Sequence, residues 1–336
     1  MEGFIFNESN DNQSPPGDFL KGIILALFIV LCLTTLNNGL QFKAIGLNIN
    51  EKDEFPVYRA LAYQYHSGNH YFIDGSDRVV KVLDDNGRLI STIGRVGQGP
   101  YEFEQPQNMT LRENALWVFD GYKGSVYKFG IDGKPLEDMK LTQGRTAVFH
   151  KRGILINNAL GSKRFHFYDW TGKLIRSFGD GFTRTGGMHD VLRLTGECVI
   201  SPDGLYLHVF YHHGGHFETY GLKTGRLLST HTLDIFKNLT ARQNKVRGQQ
   251  GGTAVFTLKN GQPLKSAVQL GDHFVILAQD ENEEERSLLL VLNKEGEVVR
   301  LEPTPRFFTK MIQSNHCLTF LDNTNGIIKQ YILEMP

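Results

Sequence analysis

The sequence has few cysteines and no spacing that marks a common catalytic or metal site. Its three cysteines are Cys32, Cys198 and Cys317. Because Cys32 lies in an apolar N-terminal run, they allow at most one disulfide in the rest of the chain, which excludes a disulfide-built scaffold. No GxSxG, HExxH or CxxC pattern is present, and no cysteine has a nucleophile context. We therefore predict no catalytic residue, no metal and no cofactor.

The sequence also lacks an excess of either charge. Lysine plus arginine number 36, as do aspartate plus glutamate, so the formal net charge is zero over 336 residues. A nucleic-acid-binding protein presents a basic face, and no lysine and arginine cluster predicts one here. We expect no nucleic-acid partner.

Only one long hydrophobic run is present. Residues 22–36 contain no charge, but this run is shorter than the roughly 20 residues of a spanning helix and suits the core of a signal peptide. Acidic residues precede it, and no clean small-x-small cleavage site follows. We predict an acidic disordered N-terminus at 1–18 and a transmembrane anchor or signal segment at 19–36, and we favour an uncleaved anchor over a cleaved signal or an internal segment. Either of the first two places the remaining chain outside the cytoplasm, with 19–36 as the membrane contact.

The remainder of the chain repeats one pattern of strand and turn signals. An apolar run meets a polar turn, a second strand-like run follows, and in full copies a turn ending in glycine precedes a third run. Turns such as DDNG, GIDG and DWTG have the positive-φ chemistry of β-hairpins. The copies lie at 71–94, 116–141, 154–179, 205–233, 273–301 and, shortened, 316–334.

Each copy has a further strand candidate upstream, which gives four strands per repeat. Four antiparallel strands at a period of about 40–50 residues are typical of a β-propeller, in which neighbouring sheets bury each other's faces. We predict an all-β fold, a six-bladed β-propeller of four-stranded antiparallel blades over 40–336, preceded by one N-terminal hydrophobic helix. The last copy lacks an outer strand, so we expect 40–49 to supply it and close the ring.

The stretch 71–111 resembles an NHL-type repeat and the bacterial six-bladed propeller proteins built from its relatives. The matching elements are a strand ending in Asp74, Arg78 opening RVVKVLD, the DNG turn, and IGRVGQGPYEF leading to Pro106. Family members usually carry glycine where Tyr101 stands, so this loop is expected to differ in detail. Because GRVGQGP follows a strand and runs into proline without helical periodicity, we interpret it as a joint between blades rather than a phosphate loop.

A site is expected on the face formed by the loops between second and third strands and the connections between blades. The aspartates there have a structural alternative that we favour, as caps of the following turns. For the histidines of YHHGGH we likewise favour a structural alternative, in which they are solvated residues at a hairpin tip. The candidate ligand-binding residues are Asp74, Arg78, Asp120, Arg164, His212, His213, His216 and Asp322.

These features favour a non-catalytic binding module over an enzyme. We predict a membrane-anchored or exported propeller that binds a protein, peptide or carbohydrate through its loop face. Because rings related to the NHL type include metal-dependent enzymes, the resemblance also implies an alternative, a hydrolase or lyase with the ion in the central channel. RNA binding, which the resemblance implies as a third function, needs a basic face that the sequence does not indicate.

Overall fold

The computed structural model describes residues 41–49, 56–158, 161–181, 194–213, 215–233, 264–279, 286–304, 306–314, 317–322 and 327–334. Residues Phe42–Leu333 form one compact unit. The predicted disordered segment 1–18 and hydrophobic helix 19–36 lie outside the described residues. Within the described ranges, no helix has the length and apolar character needed to cross a bilayer.

The regular structure of the described ranges consists of β-strands, as the alternation of apolar runs and turns predicts. In chain order the strands are β1 (Gln41–Ile49), β2 (Ala60–His66), β3 (Asn69–Asp74), β4 (Val79–Asp84), β5 (Leu89–Ile93), β6 (Arg95–Val96), β7 (Glu102–Phe103), β8 (Pro106–Arg112), β9 (Ala115–Asp120), β10 (Ser125–Gly130), β11 (Pro135–Lys140), β12 (Thr146–His150), β13 (Gly153–Asn157), β14 (Lys163–Tyr168), β15 (Leu174–Asp180), β16 (Gly196–Ile200), β17 (Tyr206–Tyr211), β18 (His216–Gly221), β19 (Leu227–Thr232), β20 (Leu264–Leu270), β21 (His273–Gln279), β22 (Ser287–Leu292), β23 (Val298–Pro303), β24 (Lys310–Ser314), β25 (Cys317–Asp322) and β26 (Ile327–Glu334).

Six four-stranded sheets form the blades of a propeller. Blades 1 to 5 each use four consecutive strands, in the orders β2-β3-β4-β5, β8-β9-β10-β11, β12-β13-β14-β15, β16-β17-β18-β19 and β20-β21-β22-β23. Blade 6 has the order β24-β25-β26-β1, so the N-terminal strand completes the C-terminal sheet. The predicted closure by residues 40–49 is confirmed.

The first strands of the blades form a closed ring. β2, β8, β12, β16, β20 and β24 each contact the first strand of the next blade, and β24 contacts β2. The ring surrounds the central channel, and the predicted six-bladed β-propeller is confirmed. A closed ring leaves no terminal blade with an uncovered face, because every sheet has two neighbours.

The hydrophobic core lies between blades rather than within one of them. One cluster packs Ile73 and Val80 of blade 1 against Val118 and Phe129 of blade 2, all of them buried. Similar clusters join blades 2 and 3, 3 and 4, 4 and 5, and 6 and 1. Second strands such as ALWVFD of β9 are buried on both faces, because each blade lies between two others.

The alternating strand directions give the ring two distinct ends. The mouth end carries the turns between second and third strands, the connections between blades, and the first residues of the innermost strands. The hairpin end carries the turns between first and second and between third and fourth strands. The predicted glycine turns lie there; in one, Gly133 has φ of +83° and its N–H donates to Gly130 O at 2.9 Å.

Candidate functional site at the mouth end

Asp74, at the end of β3, is buried and binds backbone from two separate segments. Its carboxylate accepts hydrogen bonds from Tyr58 N and Ser76 N, both at 2.9 Å, and from Lys81 Nζ at 2.8 Å. Burial alone would raise the pKa of Asp74, but the Lys81 and backbone hydrogen bonds outweigh it and hold that pKa below its usual value. The ionised carboxylate therefore joins the connection entering blade 1 to the following turn, the structural alternative given above.

Asp120 repeats this arrangement in blade 2. One carboxylate oxygen accepts from Glu104 N at 2.7 Å and Gln105 N at 3.0 Å, and the other from Tyr122 N at 3.1 Å and Lys123 N at 3.0 Å. Both oxygens are thus directed at backbone donors of the same chain. An oxygen with two backbone donors has little capacity left for an external ligand.

Asp322 and Arg78 also lie at turns between second and third strands. Asp322 ends β25 and is buried. Arg78 is an exposed turn residue with φ of +56°, and its N–H donates to Asp74 O at 2.7 Å. Arg78 is therefore placed at the open mouth end, whereas the aspartates lie beneath it.

Arg164 lies inside the contact between blades 3 and 4 rather than on the open face. Only 1% of it is exposed. Its guanidinium donates from Nε to Asn157 Oδ1 at 3.2 Å, from Nη1 to Tyr211 Oη at 2.5 Å, and from Nη2 to Leu194 O at 2.6 Å. These bonds hold the end of β13, the end of β17 and the connection into blade 4 together.

A carboxylate lies one hydrogen bond beyond Arg164. Tyr211 Oη donates to Glu218 Oε2 at 2.5 Å, and Tyr220 Oη donates to the same oxygen at 2.7 Å. Burial raises the pKa of Tyr211, so its hydroxyl stays protonated and can donate. Tyr211 thereby links the guanidinium to Glu218, which balances a charge that would be costly if buried alone.

The three candidate histidines do not converge on one point. His212 Nδ1 lies 2.8 Å from Leu264 O of blade 5, whereas His216 stacks on Tyr211 with ring centroids 4.4 Å apart. Burial lowers the pKa values of His212 and His213. Among the described residues, no group of three or more histidine, cysteine, aspartate or glutamate side chains is arranged to hold a metal ion.

Sequence reasoning, which concentrated on the loops, singled out only Arg145 from a set of cations at the mouth end. Four of the six blades place a basic residue within one residue of the start of the innermost strand, and blade 4 places a glutamate there. The signal was available in the upstream strand candidates, where a basic residue recurs at the first positions. The residues are Arg59, Arg145, Lys265 and Lys310, with Glu197 in blade 4.

Three of these residues, Arg145, Lys310 and Glu197, lie close enough to His212 for their charges to act on it. Burial is the main cause of the lowered pKa of His212, and the charges of Arg145 from blade 3 and Lys310 from blade 6 lower it further, while Glu197 opposes them. Lys310 Nζ donates to Leu61 O of blade 1 at 2.6 Å. The innermost strands therefore bring residues distant in sequence to one mouth.

Lys265 is partly buried against an aromatic ring. Burial lowers its pKa to about 8, and the charge of Asp322 only partly opposes this. Its Nζ lies 3.6 Å from the centroid of the Phe307 ring. The aromatic face stabilises the charged ammonium, whereas burial destabilises it. An approaching anion would therefore stabilise the charged form of this lysine further.

The fold and the mouth define the chain as a six-bladed β-propeller. Residues 37–152 match the family DUF5128, described as a 6-bladed beta-propeller. No curated protein sequence matches the chain. The NHL-type attribution is not confirmed by these comparisons.

Solved structures share the fold over most of the chain at low identity. A Bacteroides fragilis protein described as exported aligns with a TM-score of 0.57 and 11% identity, and the alignment covers 88% of this chain and 95% of that protein. BamB from Moraxella catarrhalis has 0.51 and 14%, covering 87% and 96%. Catalytically inactive virginiamycin B lyase from Staphylococcus aureus, with Quinupristin, has 0.51 and 10%, covering 87% and 88%. At these identities the likeness concerns the fold alone.

Proposed function

We propose that the chain is a non-catalytic binding module outside the cytoplasm, whose mouth end recognises an anionic group on a protein, peptide or carbohydrate. The supporting observation is the set of cations that four separate blades carry at the mouth-end starts of their innermost strands. Arg145 is exposed, and Lys265 and Lys310 are half-buried. Positive charges grouped at one end of a ring raise the local positive potential and attract anions.

The cations retain capacity for a ligand. Within the described part of the chain, no carboxylate forms an ion pair with Arg145 or Lys265, whereas many other cations are paired, such as Lys81 with Asp74. Lys265 already has its alkyl stem and ammonium partly removed from water, so part of the desolvation cost of binding is met before a ligand arrives.

The extracytoplasmic placement belongs to the same proposal. It rests on segment 19–36 acting as an anchor or signal after 1–18, with the propeller filling 40–336. The Bacteroides fragilis protein of the same fold, which is described as exported, is in keeping with it. Membrane attachment through 19–36 is the form we favour.

Binding measurements with charged and neutral probes test the mouth. The probes are fluorescent oligoglutamate and oligogalacturonate, each beside a neutral counterpart, oligoglutamine and a dextran oligosaccharide. Arg145→Gln combined with Lys265→Gln is expected to weaken binding of one anionic probe at least about tenfold, and added salt should weaken it for the native chain. The matched control, Arg152→Gln with Lys173→Gln, removes equal charge at the hairpin end and should change nothing.

Two results would contradict this proposal. Equal binding of anionic and neutral probes would remove the anion preference, and unchanged binding by the mouth variant would place recognition elsewhere. Elemental analysis of purified protein provides a separate check. A stoichiometric metal there would favour the hydrolase or lyase alternative instead.

A further inference from the structure

The outermost strands carry aliphatic residues where they begin, at the hairpin end. In four blades two neighbouring aliphatic side chains open the strand, and blade 2 has a single one after a proline. All of them are 45–55% exposed, unlike the buried second strands. The residues are Leu89 and Ile90, Leu136, Leu174 and Ile175, Leu227 and Leu228, and Val298 and Val299. We call this set the aliphatic rim.

The aliphatic rim is associated with basic residues. Directly before it, or one residue earlier in blade 2, four of the five blades have an exposed basic residue, Arg88, Lys134, Lys173 or Arg226, whereas blade 5 has the exposed Glu297. In blade 3 the hairpin carboxylate is turned toward backbone, since Asp169 Oδ1 accepts from Thr171 N at 2.9 Å and Lys173 N at 3.0 Å. In blade 2, by contrast, Asp132 forms an ion pair with Lys134 at 3.0 Å. Aliphatic pairs with an adjacent basic side chain suit the boundary between lipid headgroups and acyl chains, where the basic group can extend to phosphate.

The two ends of the ring differ in apolar exposure. At the mouth end, the large apolar side chains exposed among the described residues are Tyr58, Val96 and Tyr122, and Leu301 is exposed in the second half of β23. The hairpin end has the whole aliphatic rim and, in addition, exposed Tyr65, Ile131, Leu205 and Tyr206. Equivalent apolar positions spaced around a circumference fit a flat surface better than a compact partner, which would cover one side only.

The N-terminal strand begins at this same end. β1 is the outer strand of blade 6, beside β26, and the antiparallel order of the sheet makes it run from the hairpin end to the mouth end. In the sequence only residues 37–40 separate it from the apolar segment 19–36. The steps from residue 36 to Gln41 span at most about 18 Å when fully extended.

We propose that the hairpin end rests on the surface of a phospholipid bilayer, with the aliphatic rim shielded at the headgroup layer and the mouth end facing away. This rests on one part of the proposed function, that segment 19–36 stays attached as a membrane anchor. A tether this short keeps the rim beside the bilayer at high effective concentration, so weak apolar contacts suffice. The anion-binding mouth is then presented to the compartment beyond the membrane.

Fluorescence quenching in vesicles tests this orientation. The full chain, with its native cysteines replaced, is placed in phosphatidylcholine vesicles that contain lipids brominated near the top of the acyl chains. Bimane attached through Ile175→Cys on the aliphatic rim is expected to be quenched at least twofold more than bimane attached through Tyr122→Cys, the matched exposed position at the mouth end. Leu228→Cys and Val299→Cys, on two other blades, should behave as Ile175→Cys does.

The possible failures are distinguishable from one another. Equal quenching at rim and mouth, in chains that remain with the vesicles after an alkaline wash, overturns the bilayer contact and leaves the anchor intact. Quenching at one blade alone overturns the flat contact. Recovery of the chain in the aqueous wash overturns the anchor, and with it this orientation. The anion-binding mouth is unaffected by that result, because the binding measurements test it separately.

Discussion

At the residue scale, the carboxylate of Asp74 illustrates why this position requires an ionised acceptor. Its oxygens face backbone donors on both sides and the Nζ of Lys81, which is itself buried. Asparagine would present an amide group to some of these donors and would leave Lys81 with less compensation. A neutral replacement therefore loses hydrogen bonds and leaves the buried charge of Lys81 without its carboxylate partner.

We predict that Asp74→Asn lowers the free energy of unfolding at neutral pH by about 3 kcal/mol. The variant should also lose part of the acid sensitivity of the native chain. A carboxyl whose pKa is lower in the folded chain stabilises the fold above its unfolded pKa, and that contribution disappears as the pH falls through the folded value. For Asp74 this loss begins near 3.8, the ordinary pKa of an aspartate side chain, and continues below it.

Urea unfolding at pH 7 and at a series of pH values below 5 measures both effects. Asp138→Asn, at an exposed position of β11, serves as the control and should leave the unfolding free energy within about 0.5 kcal/mol. An Asp74→Asn variant as stable as the native chain, with the same acid transition, would show that the carboxylate is dispensable for the fold.

Sequence reasoning identifies some residues of the mouth and misplaces others for a physical reason. The capping role of Asp74 was open to prediction because its partners, such as Ser76, are local in sequence. The burial of Arg164 was not, because its partner Tyr211 lies 47 residues away on another blade. Contacts between blades depend on how sheets stack, and no spacing within one repeat encodes them.

At the element scale, the joint between blades 1 and 2 is built around its own carboxylate. β6 pairs in parallel with β7, and Glu102 accepts hydrogen bonds from Gly99 N at 2.7 Å and from Arg95 Nε at 2.6 Å. The glycine-rich loop therefore directs a backbone N–H at Glu102 rather than leaving it for a phosphate, in agreement with the interpretation as a joint.

Tyr101 occupies the turn of this joint in a conformation that favours glycine. Its φ is +56°, a left-handed value that glycine adopts without strain. Its ring packs 5.8 Å from that of Tyr127 and 6.0 Å from that of Phe129, measured between centroids. The tyrosine thus gains aromatic contact at the expense of backbone strain.

Comparing Tyr101→Gly with Tyr101→Ala separates these two effects. Both variants lose the ring, but only glycine relieves the left-handed backbone, so we predict that the glycine variant is more stable than the alanine variant by about 1 kcal/mol. Thermal and urea unfolding of the two proteins measure this difference. Equal stability, or a more stable alanine variant, would mean that the turn relaxes to negative φ and stores no strain.

The blades themselves were largely predictable because their signals are local. Hairpin glycines such as Gly87 and Gly172 mark the third-to-fourth turns, and both have positive φ. The short pair β6 and β7 was not predicted as sheet, because two-residue strands have no periodicity to detect. Local chemistry specifies the repeat, whereas the details of its joints come from contacts made after the repeat has formed.

At the scale of the whole molecule, the ring depends on a strand from one chain end completing the sheet of the other. β1 lies beside β26 in blade 6. The sequence indicates this because the last repeat has only three strands. In a closed ring the missing fourth strand is supplied by the other chain terminus. Without β1, blade 6 would expose the backbone groups of β26 as a new edge.

Proline substitutions at adjacent positions of β1 test the closure without removing any of the chain. In an outermost antiparallel strand, alternate N–H groups face the neighbouring strand and solvent. One of Lys43→Pro and Ala44→Pro must therefore remove a bond to β26, whereas the other removes a solvated N–H, although both restrict φ. We predict that their free energies of unfolding differ by about 1–3 kcal/mol, measured by urea denaturation. Equal effects at the two positions would show that β1 is not paired in the ladder and that the ring closes without it.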